Sequence, residues 1–364
     1  MAKRELLIVA LFGAAGLAAY QLLAPPSTGS GPGLSISGWL ERARSGGRGP
    51  AVASISREGT FALPEGITTL RVSRVSAVVV RGESREDAAY QLTVEANGPD
   101  DAHARAAAER VTLTRDAVGL ALSLTVEAPR DARLAGALTL QVPDRLAVII
   151  EGARSTEVAG LAGVTLERVV GDARLSDLAG SVTGSHRNGE LSVNGAATVA
   201  LNLIETSAAF TGIRDRIRLT ARNGESRIDA SPAHVEIDGT GHTSRLVESA
   251  GPVRIFGTGG EIHLTHPRGA VHVDVERAAV TLAADAAVPI TVFTSERRVR
   301  LTIGRDLAVS LDARTLDDGT IDAAALGVTP EITSDGARVF LPRPDVPVIA
   351  IRNQRGAIEI AETK

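Results

Sequence analysis

The sequence predicts an all-β chain: a parallel β-solenoid of about 18 residues and two strands per coil, with an N-terminal transmembrane helix and a strand-rich cap containing one short helix. Three observations carry this prediction. A charge-free apolar run lies near the amino terminus, aliphatic residues recur every 18 positions from Leu146 onward, and glycine or Asn-Gly falls at fixed places between them.

Lys3 and Arg4 precede the uncharged run 6–23, which stops at Pro25-Pro26. Its length is short for a bilayer-spanning helix and long for the apolar core of a cleaved leader. We read residues 1–24 as an uncleaved signal anchor in preference to a cleaved peptide, because cutting after Gly16-Leu17-Ala18 leaves Leu22-Leu23 on the product. The flanking bases predict a single-pass membrane protein with a cytoplasmic N-terminus and the bulk of the chain periplasmic or extracellular. Residues 25–59, rich in Pro, Gly and Ser, read as a flexible linker.

Residues 60–143 read as a β-rich N-terminal cap, with strands around 70–80, 90–94, 120–126 and 138–142. One helix is expected from Pro99-Asp100-Asp101 to about Arg110, acids first and bases last as the helix dipole prefers.

The repeats occupy 144–303. Leu146, Val164, Val182, Val199, Ile217, Val235, Val253 and Val271 open successive blocks, 18 residues apart at every step but one. A second apolar residue follows two positions later in all but one block, which is strand alternation. A second strand is marked by Leu175, Val193, Phe210, Ile228, Leu246, Leu264 and Leu282. Gly152, Gly171, Gly189, Gly224, Gly241 and Gly259 stand between the two strands, where a corner needs positive φ. A helix is incompatible with this alternation. An antiparallel sandwich is the rival reading, but it has no reason to keep one period. Residues 304–364 read as interrupted final coils and a C-terminal cap, with Ile349, Ile351, Ile358 and Ile360 rejoining the pattern.

The lead-in LRVSRVSAVVVRG, the segment LTLQVP, the coil RIRLTARNGESRIDA and the closing VIAIRNQRGAIEIA together resemble the adhesin-like β-solenoid family of bacteria. The resemblance spans roughly residues 60 to 361. It implies an exported or membrane-associated domain of unknown function, sometimes associated with envelope-stress signalling, and it supplies no catalytic residues.

Composition narrows the function classes. The net charge is −4 and aromatics make up 2% of the chain, so neither a basic footprint nor rings for stacking bases point to nucleic acid. With no cysteine there is no disulfide, thiolate metal site or cysteine nucleophile. The Gly-rich corners 238–241 and 257–260 lack the recurrent aspartate of calcium-binding rolls and the Gly-Lys-Ser/Thr of a P-loop. No cofactor and no metal is expected.

Outward positions of the strands supply the candidate sites. Arg218, Glu236, Arg254 and His272 follow the openers by one residue, and Asp238 and Asp274 lie two further on, forming a mixed surface-binding patch. Glu236 and Asp238 fall on one face roughly 7 Å apart, a spacing open to an inverting glycosidase, although an alternating-charge ladder explains them as well. Arg174, Arg227, Arg245 and His263 form a second, basic column that suits an anionic glycan or headgroup, or is simply solvated. His263 and His266 are three apart on or near a strand and turn to opposite faces, so they do not form a metal pair.

The expected function is a membrane-anchored, adhesin-like, non-enzymatic binding or scaffold module of the bacterial cell envelope. Its expected partners are the membrane through the N-terminal helix, an envelope glycan or protein, or a second copy of itself, and not nucleic acid. The rival readings are a polysaccharide lyase or hydrolase and a sensor of envelope stress.

Overall fold

The computed structural model describes residues 51–128 and 134–363. Strands form where apolar and polar residues alternate, because successive side chains in an extended chain point to opposite faces. Val271–Glu276 shows the rule: Val271, Val273 and Val275 are buried while His272, Asp274 and Glu276 face outward.

The strands pair in parallel with a register equal to the sequence period. Ile217 lies opposite Val235, Val235 opposite Val253, Val253 opposite Val271, and Val271 opposite Ile290. A second ladder aligns Ile228, Leu246, Leu264, Leu282, Leu301 and Ile360. The openers and this second column are buried in one continuous apolar core. Because equivalent residues stack on one another, a single choice of inward parity is repeated along the whole core, and a slip of one residue would turn the entire apolar set to water.

The predicted parallel β-solenoid is corrected by this pairing. The described strands form a single 26-stranded sheet of mixed parallel and antiparallel pairs that does not close. Thr112–Val118 and Ala121–Glu127 are joined by two residues, and so are Glu331–Thr333 and Gly336–Leu341 in the C-terminal excursion. A connection that short permits only antiparallel pairing. Asp87–Gly98 likewise runs antiparallel to Leu134–Pro143, and Gly336–Leu341 antiparallel to Ser310–Thr315. Nor are there two short strands in every repeat: Ser181–Asp229 is one strand of 49 residues, bent at positive-φ residues such as Asn188, Gly195 and Asn223 without losing its strand character. At Gly224, where φ is +81°, a Cβ would collide with the carbonyl oxygen of Thr206, so the corner takes glycine for both conformation and closeness.

Chain order is also not stacking order at the ends. Thr69–Ser73 pairs on one side with Ala147–Glu151 and on the other with Ala121–Glu127. Val348–Asn353 inserts between Ile290–Thr294 and Ser310–Thr315. The strand Ala51–Ala62 runs through the end of the segment 25–59 read as linker.

The transmembrane helix expected within residues 1–24 lies outside the described residues. Among those described, no helix is long and apolar enough to cross a membrane. The one α-helix among the described residues, α1 (Asp101–Glu109), starts as its sequence predicts, with the Asp100 carboxylate accepting from the His103 amide at 2.8 Å. That hydrogen bond holds the Asp100 carboxyl below its ordinary range. The expected bases are absent from its last turn. Arg110 follows as the C-cap, and Arg57 adds a second cation at the helix end, donating to the carbonyls of Glu109 and Val111 from a strand more than 50 residues upstream.

Candidate functional site

The parallel register brings the predicted mixed patch together. Arg218, Glu236, Arg254 and His272 are successive neighbours across four strands, and Thr220, Asp238, Phe256 and Asp274 form the next row. Arg218 Nε approaches Glu236 Oε1 at 3.6 Å, a solvated ion pair. Among the described residues Arg254, Asp238 and Asp274 are exposed and engaged in no ion pair or side-chain hydrogen bond. Glu236 and Asp238 thus share an open face, and Glu236 already faces a cation.

The second column has a different character. Arg227, Arg245 and His263 are contiguous neighbours, but Arg174 stands apart from them, flanked by Glu157 and Ser192. Each of the three has its own acid: Arg227 bonds Asp229 at 2.6 Å, Arg245 bonds Glu225 at 2.6 Å, and His263 Nε2 lies 3.1 Å from Glu261. The hydrogen bond to Asp229 raises the Arg227 pKa above its ordinary value. Arg227 and Arg245 are therefore locally neutralised, and the column is not a bare cationic stripe. His263 lies within the strand Glu261–Thr265, and His266 follows it in a left-handed conformation with φ of 51°.

Two groups emerge that sequence reasoning did not single out. The outer row continues past Asp274 through Phe293 to Arg352. His272 lies between two rings, its centroid 5.9 Å from that of Phe256 and 6.0 Å from that of Phe293, and the Arg352 guanidinium sits 5.6 Å from the Phe293 centroid. The signal for Phe293 is present in the sequence, since it follows Ile290 by three residues as Phe256 follows Val253. Arg352 is reached only because Val348–Asn353 inserts between Ile290–Thr294 and the earlier strand Ser310–Thr315.

The second group is an ion cluster at the amino-terminal end of the ladder. Arg71 bonds Glu151 and Glu167, and Arg168 also reaches Glu151. The hydrogen bond to Glu167 raises the Arg71 pKa, outweighing the opposing effect of burial. Beside it opens a polar cleft of about 600 Å³ lined by Ser73, Arg74, Thr125, Glu151 and Arg168 among others. Arg71 and Glu167 are 96 residues apart, beyond the reach of spacing arguments.

No family model and no curated protein matches this chain. Among solved structures it is similar to a "putative cell adhesion protein" of Clostridium sporogenes, with 8% identity, 85% of this chain and 100% of that one covered, and a TM-score of 0.18. It is also similar to a "putative adhesin" of Bacteroides fragilis, with 10% identity, 85% and 97% coverage and a TM-score of 0.25. A third, a "putative adhesin" of Parabacteroides merdae, shows 10% identity, 85% and 96% coverage and a TM-score of 0.30. All three are bacterial proteins described as adhesins or cell adhesion proteins.

Proposed function

We propose that this chain is a non-enzymatic, adhesin-like binding or scaffold module of the bacterial cell envelope, held to a membrane by its N-terminal apolar segment. The observation that carries the reading is the open outer face of the ladder, on which Arg218, Glu236, Asp238, Arg254, His272 and Asp274 stand at fixed strand spacing. Such a face offers a ligand many shallow, repeated contacts, and Arg254, Asp238 and Asp274 have hydrogen-bonding capacity left for it. The uncharged run after Lys3 and Arg4 supports the anchor.

The test uses full-length protein in detergent, incubated with envelope and extracellular polysaccharides, with retention on the polymer and release of new sugar ends scored together. The module should retain polymer without releasing ends. Release that disappears in the double variant Glu236→Gln, Asp238→Asn would replace this reading with a glycoside-cleaving one.

A further inference from the structure

We propose that Phe256 and Phe293, held apart by His272 and bracketing Asp274, form a stacking platform for the pyranose rings of a neutral glycan, an inference that rests on the binding reading above. The chain has only nine aromatic residues among 364, six of them phenylalanine. Core positions are available to such rings, and Phe210 fills one with no exposure. Phe256 is instead 37% exposed, and Phe293 is partly exposed in the same outward row.

The spacing is set by the backbone. Phe256 pairs with Asp274, and Asp274 with Phe293, so the rings stand two strand spacings apart, about 9.6 Å. That distance matches two pyranose units linked end to end and running across the strands. His272, on the middle strand, packs against both rings at inclined angles of 55° and 63°. Arg352 covers part of Phe293 as a cation over the ring.

The polar groups around the rings select the ligand. Asp238 and Asp274 offer carboxylate acceptors, and Arg254 and Arg352 offer planar donors; among the described residues none of the four is engaged in an ion pair or a side-chain hydrogen bond. Two acids and two cations cancel, which disfavours a polyanion. A purely apolar partner would desolvate these charges without replacing their hydrogen bonds. A pyranose satisfies both demands: its C–H face is weakly positive and stacks on the electron-rich ring face, while its equatorial hydroxyls both donate and accept.

The experiment is calorimetric titration of the full-length protein in detergent with chitohexaose and cellohexaose, alongside the polymer-retention assay above. Phe256→Ala and Phe293→Ala should each weaken oligosaccharide binding about tenfold, the loss of one ring contact. Phe256→Trp should keep it, and Thr281→Ala on the other ladder should leave it unchanged, with melting temperatures preserved throughout. Polymer retention undiminished in the Phe256→Ala, Phe293→Ala double variant would overturn the platform and leave the binding module standing. Tight capture of a protein with no oligosaccharide binding would also overturn the platform. Retention of neither polymer nor protein would overturn both readings.

Discussion

The Arg71 guanidinium grips the Glu167 carboxylate through both terminal nitrogens, at 2.9 and 3.1 Å, while the first of them also reaches Glu151 at 3.0 Å. Arg71 belongs to a strand laid down long before its partners, so this fork ties the amino-terminal coil to the first repeats. All three side chains are about one-third exposed, and solvent screening limits their worth. Arg71→Ala should therefore cost only about 1 kcal/mol, read as a lowered urea midpoint with unchanged slope. Arg71→Lys should recover less than half of the loss, because an ammonium cannot reproduce the planar fork.

Two histidines make stability depend on pH. His186 and His242 are 1% and 3% exposed, and burial lowers the pKa of each below the ordinary 6.5. His242 is held by the Asn223 carbonyl and Ser226 Oγ, both at 3.0 Å. The unfolded chain takes up these protons near pH 6.5 and the folded chain resists them, so the unfolded state binds more protons in the window below that value. Stability should be full above pH 6.5 and fall as acid is added, by about 1.4 kcal/mol for each unit by which a pKa is depressed. Urea midpoints measured from pH 8 to pH 5 check this, and His242→Gln should flatten the decline. A midpoint that rises on acidification would contradict it.

Two glycines with positive φ should respond unequally to alanine. Gly119, φ +61°, sits in a hairpin turn with open space where a Cβ would go; Gly224, φ +81°, is pressed against the Thr206 carbonyl. Gly119→Ala should cost about 1 kcal/mol, the left-handed penalty alone. Gly224→Ala should cost that plus a further ~1–3 kcal/mol for displacing the stacked backbone. Thermal unfolding of the pair, side by side, measures the difference.

Inward and outward positions of two neighbouring strands should likewise separate. Ile237 is fully buried between Leu219 and Ile255, and Ile237→Ala should lose about 2–5 kcal/mol. Thr220, exposed one residue from Leu219, should tolerate alanine within about 0.5 kcal/mol. Equal losses in chemical denaturation would mean that the parity of the ladder is misread.

What the sequence by itself determined is the local register. The aliphatic spacing from Ile217 to Val271 is the pairing of the strands, and parity alone brings Arg218, Glu236, Arg254 and His272 into one row. This is legible because parallel in-register stacking turns a distance in sequence into a neighbour in space. The start of α1 is legible for a similar reason, since the Asp100 cap is a contact across three residues. What only the tertiary structure decided lies where contacts are long in sequence. The mixed, unclosed sheet follows from antiparallel pairing at both ends, and the order of the last strands is set by Val348–Asn353 inserting beside Ile290–Thr294. That insertion delivers Arg352 to Phe293. The neutralisation of Arg245 by Glu225, the grip of Arg71 on Glu167 and the capping of α1 by Arg57 likewise depend on side-chain reach between strands, for which a periodic pattern carries no signal.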